Sequence, residues 1–196
     1  MPISRRGAPL RIPNSDPILD AQQLEAQLQK ICWEIMAALR DEESLVVIGI
    51  HTRGIPLAER LSTRLEAGLG RRIPMGILDI GMYRDDLSEI SGSPILRSTD
   101  IPFDLSGRTV VLVDDVIYTG RTVRAALDAI QDHGRPRRTW LATLVDRGDR
   151  ELPIQPDFFG IRLGLRGDQM VSVRVKEIDG EDRVLLETKG GQEISH

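Results

Sequence analysis

The sequence predicts an α/β domain with a mostly parallel central sheet and helices on both faces of the sheet. Short continuous apolar runs, such as residues 45–50 and 110–113, are typical of strands covered on both sides. These runs alternate with segments whose apolar residues recur at helical spacing, and such alternation implies right-handed crossovers between parallel strands. With 196 residues, 40% hydrophobic and 29% charged, the chain has the size and composition of one folded domain.

The first elements follow from proline content and periodicity. Residues 1–17 contain four prolines, which remove amide donors and discourage helix, so they predict an extended or disordered arm. From Leu19 the apolar residues recur every three or four positions, which predicts an amphipathic helix to about Arg40. The run Leu45–Ile50 then predicts a buried strand.

A second helix and a long polar segment follow this strand. Pro56 suits the first turn of a helix, and Gly68 predicts its end. A second strand is expected at Met75–Ile80. Residues of about 81–102 are polar and rich in turn formers, and a stretch of that length in a small domain is usually functional or disordered. It is interpreted as a flexible β-hairpin lid, with a poorly formed hairpin as the alternative.

The second half of the domain repeats the strand and helix pattern. Residues 108–116 predict a third strand, the next helix ends near Gly134, and residues 139–146 predict a fourth strand. The remaining tail has shorter, partly alternating strands, which predicts a small hood at about residues 155–170 within a single domain covering residues 18–196.

Composition excludes several classes of protein. Cys32 is the only cysteine, so a disulfide framework is excluded and a cysteine-based metal site is improbable; its apolar neighbours favour a buried thiol over a reactive one. No run approaches the length of a membrane span and the first residues lack the apolar core of a signal peptide, so a cytoplasmic protein with no membrane partner is expected. The net charge of −4 argues against indiscriminate binding to DNA, although a local basic patch could still bind RNA.

The segment 110–122, VVLVDDVIYTGRT, carries the strongest chemical signal. The paired acids Asp114 and Asp115 end a buried strand, and Thr119–Thr122 lie where the next helix begins. Unpaired amides at a helix start, with threonine hydroxyls beside them and Gly120 permitting close approach, suit a phosphate monoester. Two acids would repel that phosphate unless they bind hydroxyls of the same ligand, so the segment predicts a sugar phosphate site.

This segment resembles the 13-residue motif of the type I phosphoribosyltransferases, which binds 5-phosphoribosyl 1-diphosphate (PRPP). Similarity extends over about residues 18–187, through GIHTRGIPLAERL, LDIGMYRDDLSEI and LVDRGDRELPI. Together these segments resemble the branch of bifunctional proteins that regulate pyrimidine operons and act as uracil phosphoribosyltransferases. The resemblance implies that uracil and PRPP form UMP and diphosphate, with Mg²⁺ as cofactor, through a transition state of oxocarbenium character.

The resemblance assigns roles to particular residues. It implies catalytic roles for Arg84 and Asp85 in the lid and for Asp114 and Asp115, with the last two contacting Mg²⁺ indirectly through ribose or water. Tyr83 and Asp86 belong to the same lid segment. His51 is either a ligand of the site or an ordinary loop residue. The residues expected to bind PRPP or UMP are Thr52, Arg53, Asp114, Asp115, Tyr118, Thr119, Gly120, Arg121 and Thr122.

The base is expected at the end of the fourth strand and at the following segment. Tyr118 stands where purine-specific relatives have an acid, which favours a pyrimidine. Asp146 could accept the uracil N3 proton, although an aspartate at a strand end is also an ordinary turn residue. The expected base-binding residues are Val145, Asp146, Arg147, Phe159, Gly160 and Ile161.

The regulatory half of the resemblance implies a pyrimidine-operon mRNA leader as partner, UMP and UTP as effectors, and a homodimer or higher homo-oligomer. The residues expected to bind RNA are Arg138, Arg147 and Arg150, with Arg135 and Arg137 as possible additions. Asp149 and Gln155 occupy positions that are usually basic, which should weaken RNA binding. A phosphoribosyltransferase that has lost RNA binding or takes another base, and a regulator with secondary catalysis, therefore both stay open.

Overall fold

The computed structural model describes residues 17–40, 44–81, 99–165 and 169–188. Within these ranges one five-stranded sheet has the order β2-β1-β3-β4-β5, and each neighbouring pair is parallel. The element bounds are α1 Ala21–Ala38, β1 Leu45–Ile50, α2 Gly54–Leu69, β2 Met75–Leu78, β3 Thr109–Ile117, α3 Arg121–Ile130, a 3₁₀ helix Gln131–His133, β4 Arg138–Asp146, β5 Phe158–Arg162, β6 Gln169–Arg174, α4 Lys176–Asp179 and β7 Arg183–Thr188.

The sheet is covered on both faces, as the continuous apolar runs predict. Leu45 and Val47 of β1 pack with α1 and α2, while Val46 and Ile48 of the same strand pack with α3 on the opposite face. All six residues of β1 are buried, which is the expected burial of a strand between two helical layers. The predicted fold class is therefore confirmed.

Helix ends follow local chemistry closely. Asp20 caps α1 by accepting a hydrogen bond from the Gln23 amide at 2.8 Å, and the Gln23 side chain accepts from the Asp20 amide at 2.9 Å. The expected stop at Gly68 is wrong: α2 continues to Leu69, and the glycine that terminates it in the left-handed conformation is Gly70, two residues later.

The C-terminal part differs from the predicted hood at 155–170. Phe158–Arg162 is a strand of the main sheet, because Ala142 and Val145 of β4 pair with Phe158 and Ile161. The side chains of Phe158 and Ile161 belong to the core that packs against α1. Beyond it, residues 169–188 form a separate unit, the C-terminal hairpin, in which β6 and β7 pair antiparallel and α4 lies between them. Residues 1–16 of the predicted arm and 82–98 of the predicted lid lie outside the described residues.

The start of α1 and helix α2 both contact the C-terminal hairpin. Val184 of β7 accepts a hydrogen bond from the Ile18 amide at 2.8 Å and donates to the carbonyl of Leu19 at 2.9 Å. On the other side Arg60 of α2 donates to Glu177 at 2.6 Å and to Asp182 at 2.8 Å. The hairpin is thus held by the start of α1 and by the ion pairs of Arg60 on α2.

Acidification is expected to loosen this attachment. Hydrogen bonds from Arg60 and Arg53 hold the pKa of Glu177 and of Asp179, respectively, below the ordinary values. Such groups stabilise the fold above the ordinary carboxylate pKa of about 4, and their contribution is lost as the pH falls through the folded pKa. The free energy of unfolding in urea should drop on acidification, and Arg60→Met should reduce that drop. An equal drop in both proteins would contradict this expectation.

Candidate functional site

The site is built where three neighbouring strands end. Gly49 of β1 pairs with Val113 of β3, and Ile117 at the end of β3 pairs with Asp146 at the end of β4. The loops that follow β1, β3 and β4 therefore emerge side by side at the carboxyl edge of the sheet. Ligands of parallel α/β sheets bind at this edge.

Asp114 and Asp115 are fixed at the end of β3 by the backbone that follows them. Asp114 is buried, and its Oδ1 accepts a hydrogen bond from the Asp115 amide at 3.0 Å. Oδ1 of Asp115 accepts from the Val116 amide at 2.8 Å. Burial raises the pKa of the Asp115 carboxyl, while a side-chain hydrogen bond with Asp114 and the charge of Arg53 act in the opposite direction. The acids are therefore rigid acceptors in a partly desolvated position.

The loop after β1 lies directly against these acids. A Cβ atom at Gly54 would stand 2.5 Å from the carbonyl oxygen of Val113, and one at Gly49 would stand 2.7 Å from Cα of Ile55. Glycine at both positions lets the start of α2 approach the backbone of β1 and β3. The approach brings Arg53 close enough to Asp115 for the charge of each to affect the other.

Gly54→Ala is expected to damage both stability and ligand binding. The added methyl group would clash with backbone atoms, which cannot rotate away, so the start of α2 must shift. Overpacking of this kind costs about 1–3 kcal/mol. Thermal unfolding should show the lower stability, and calorimetry with PRPP, the ligand that the sequence motif predicts, should show weaker binding. Gly70→Ala is the matched control, because nothing lies within 4 Å of a Cβ there; it should weaken stability through its left-handed backbone but leave PRPP binding unchanged.

Residues 118–122, which we name the phosphate loop after their predicted ligand, connect β3 to α3. Gly120 caps the helix with φ of 93° and without a side-chain hydrogen bond, and Thr119 Oγ1 accepts from the Arg121 amide at 3.3 Å. The amides of the first turn of a helix have no partner within the helix, so this loop presents donors to an anion. The Arg121 side chain pairs with Glu151 at 2.6 Å on the surface.

Arg150 supports the phosphate loop from behind. Its Nη1 donates to the carbonyls of Tyr118 at 2.8 Å and Gly148 at 3.0 Å, its Nε donates to the carbonyl of Ile154 at 2.9 Å, and its Nη2 pairs with Asp146 at 2.5 Å. Its side chain is 10% exposed. The structure therefore gives Arg150 an internal role and does not present it to RNA as expected.

Arg147 is also buried, in contrast to its expected contact with RNA. Its guanidinium stacks on the ring of Tyr118, with the guanidinium carbon 3.6 Å from the ring centroid, and Nη2 donates to the carbonyl of Gln169 at 2.7 Å. Tyr118 itself is 42% exposed. Arg147 therefore supports the aromatic ring at the entrance of the phosphate loop.

Asp146 is less available to a base than its position at the end of β4 suggests. Oδ1 pairs with Arg150, Oδ2 accepts from Arg162 Nε at 2.7 Å, and only 2% of the side chain is exposed. Val145 and Ile161 belong to the hydrophobic core, and Gly160 lies so close to β4 that a Cβ would stand 2.6 Å from the Leu144 carbonyl. Direct contact of these residues with a base stays a prediction.

The contacts of the Phe159 ring were not predicted from the sequence. Lys30 of α1 lies 5.0 Å from its ring centroid and donates to the carbonyls of Phe159 and Gly160, while the Arg162 guanidinium lies 4.6 Å from the same centroid. The ring is thus flanked by two cations. Lys30 is far from Phe159 in sequence and no local motif identifies it.

The predicted RNA-binding arginines at the start of β4 are not brought into this site. Arg138 begins β4 at the opposite edge of the sheet, is exposed, and lies over Trp140 with its guanidinium carbon 5.2 Å from the ring centroid. Arg135 and Arg137 are also exposed there. Tyr83, Arg84, Asp85 and Asp86 lie outside the described residues.

Asp114 and Asp115 are oxygen donors of the kind that Mg²⁺ binds. Among the described residues, no group of three or more acidic, histidine or cysteine side chains could enclose a metal. Mg²⁺ in phosphate sites is commonly bound by one or two carboxylates together with substrate oxygens. Asp114 and Asp115 fit that pattern.

Across the same described ranges, no helix has the length and apolarity to cross a bilayer.

Comparison with known proteins agrees with this architecture. The phosphoribosyl transferase domain model matches residues 14–165. The Bifunctional protein PyrR of Thermus aquaticus is 53% identical over 174 residues, covering 89% of this chain and 96% of the relative. That of Pelotomaculum thermopropionicum is 54% identical over 169 residues, covering 86% and 93%.

Solved structures support the fold alone. A hypoxanthine phosphoribosyltransferase from Staphylococcus aureus matches with a TM-score of 0.66 and 14% identity, covering 89% of this chain and 93% of that one. The hypoxanthine phosphoribosyltransferase of Trypanosoma cruzi matches with a TM-score of 0.65 and 14% identity, covering 89% and 97%.

Proposed function

Because the chain belongs to the PyrR family and carries its phosphoribosyl transferase domain, we propose that one site forms UMP from uracil and PRPP and senses UMP for regulation. The observation that carries this proposal is the arrangement of Asp114 and Asp115 between Arg53 and the phosphate loop. Acids, a guanidinium and helix amides in one place match the hydroxyls, diphosphate and 5′-phosphate of PRPP.

Each group has a chemical task in the proposed reaction. The two aspartates accept hydrogen bonds from the ribose hydroxyls, the phosphate loop binds the 5′-phosphate, and Arg53 binds the departing diphosphate. Asp114 and Asp115 would hold Mg²⁺ through ribose oxygens or water, and the ion supplies neutralising charge to the diphosphate. The lid residues Arg84 and Asp85 would exclude water from the oxocarbenium-like centre.

Substrate choice tests the catalytic half. Purified protein with Mg²⁺ and PRPP is incubated separately with uracil and with hypoxanthine, and nucleotides are separated by chromatography. UMP should form from uracil and no IMP should form from hypoxanthine. Formation of IMP would assign another base specificity, and the absence of both products would contradict the proposed enzyme.

The proposed regulation acts through binding to a pyrimidine-operon mRNA leader, with UMP or UTP bound in the site. The RNA-binding form is proposed to be a homodimer or higher homo-oligomer in the cytoplasm. Arg138 is exposed, as an RNA contact requires, whereas Arg147 and Arg150 are engaged internally. Asp149 and Gln155 are exposed in the loop that follows β4 and add no positive charge. These last observations favour, as the second candidate, a phosphoribosyltransferase that has lost RNA binding.

A salt titration separates the two candidates. Leader RNA is titrated at several salt concentrations with and without UMP, and a scrambled RNA of equal length is the control. A regulator binds the leader more tightly than the control, and UMP changes its affinity. Binding that ignores both sequence and UMP would leave only the enzyme.

A further inference from the structure

Arg53 forms an ion pair with Asp179 of the C-terminal hairpin. Its Nε donates to Oδ2 of Asp179 at 3.0 Å and its Nη2 donates to Oδ1 at 2.7 Å, so the contact is bidentate. The partners come from different parts of the chain: Arg53 precedes the first turn of α2, and Asp179 ends α4. Arg53 is the residue to which the proposed function gives the diphosphate, and the inference below rests on that assignment.

Bidentate pairing leaves a second edge of the guanidinium for a ligand. Arginine has five N–H groups, and Asp179 takes the Nε hydrogen and one Nη2 hydrogen. The Nη1 hydrogens and the other Nη2 hydrogen form another fork that can bind phosphate oxygens. The Arg53 side chain is 36% exposed, so solvent and ligand reach it. One arginine can therefore bind a carboxylate and a phosphate at once.

Asp179 is itself firmly placed. Its Oδ2 accepts a hydrogen bond from the Val175 amide at 2.9 Å, and its own amide donates to the Val175 carbonyl at 2.7 Å. The side chain is 17% exposed, less than half the exposed fraction of Arg53. Ion pairs from Arg60 to Glu177 and Asp182 fix the segment on either side. The carboxylate is thus mounted on a segment anchored along α2.

We propose that Asp179 is a positioning residue for PRPP: it holds one edge of Arg53 so that the other edge binds the diphosphate. Without the pairing with Asp179, the long side chain of Arg53 would lose its conformational freedom only when the ligand binds, and that loss of entropy would weaken binding. The nearby negative charge of Asp115 would then be the main attraction on Arg53, and it would draw the guanidinium toward the ribose position. The C-terminal hairpin therefore takes part in substrate binding without touching substrate.

Steady-state kinetics of Asp179→Asn test this role. We expect KM for PRPP to rise about tenfold, the effect of weakening one charge-assisted pair, while KM for uracil and kcat change little. Asp179→Glu should recover part of the loss because it retains the charge. Glu181→Gln is the control, since Glu181 pairs with the exposed Arg174 and Arg183 on the same hairpin. In an Arg53→Met background, Asp179→Asn should have no further effect on KM for PRPP.

Alternative outcomes are distinct. A lower KM for PRPP in Asp179→Asn would show that the carboxylate competes with diphosphate, and an undiminished effect in the Arg53→Met background would show a general structural role; either overturns the proposal. If wild-type protein forms no UMP, the proposed function fails instead. Binding of diphosphate with Mg²⁺, measured by calorimetry, then tests Asp179 directly, with the same expected tenfold weakening and the same control.

Discussion

The double substitution Asp114→Asn with Asp115→Asn is expected to abolish UMP formation. Both replacements keep the size of the side chain and remove the charge that strengthens hydrogen bonds to the ribose hydroxyls. Charge-assisted hydrogen bonds contribute about 1.5–3 kcal/mol each, so losing two should lower kcat/KM by roughly two to four orders of magnitude. UMP formation from uracil and PRPP is measured by chromatography at saturating Mg²⁺.

The double variant should remain folded, because burial of the Asp115 carboxylate is unfavourable and the amide avoids that cost. Asp128→Asn is a matched control: Asp128 is an exposed carboxylate on α3, and its substitution should leave turnover unchanged. Undiminished turnover in the double variant would remove Asp114 and Asp115 from the site.

Among the substitutions proposed here, Arg150→Met is expected to lower the free energy of unfolding the most. It removes one partner of a buried ion pair, leaves Asp146 with the single arginine Arg162, and strips the carbonyls of Tyr118 and Gly148 of a donor. Removing one partner of such a pair typically costs about 3–5 kcal/mol. Denaturant unfolding should show this loss, and calorimetry should show weaker UMP binding because the phosphate loop is no longer held.

The result also distinguishes an internal role from an RNA contact. Arg135→Met removes an exposed arginine near the start of β4 and should change stability little. If Arg150 acted mainly on RNA, its substitution would lower RNA affinity and leave the unfolding free energy and UMP binding intact. That outcome would contradict the internal role described above.

The fold was largely predictable because its main signals are local. A strand such as β1 that is buried on both faces must be apolar throughout, and the alternation of such runs with amphipathic helices indicates parallel crossovers. The predicted hood was misplaced for a non-local reason. Whether Phe158–Arg162 pairs with β4 or with a later strand depends on which edge is free in the folded chain, and a short apolar run does not encode that choice.

The candidate site was predicted from local signals as well, and its arginines show the same non-local difficulty. Asp114, Asp115 and the phosphate loop are contiguous, so one segment predicts a sugar phosphate site, and that assignment stays a prediction. The role of an arginine is harder to predict, because the sequence does not distinguish a buried and paired guanidinium from an exposed one. Arg147 and Arg150 were therefore assigned to RNA, and the pairing of Arg53 with Asp179, which lie far apart in sequence, was not predicted.

The pairing of Leu19 with Val184 has a consequence for synthesis of the protein. Ribosomes release the chain from its amino end, so α1 and the sheet emerge well before β7 exists to meet Leu19. The same late segment supplies Asp179 and the partners of Arg60. A nascent chain that stops after β5 lacks Asp179, the residue proposed to orient Arg53. Such an incomplete chain should therefore bind PRPP more weakly than the finished protein.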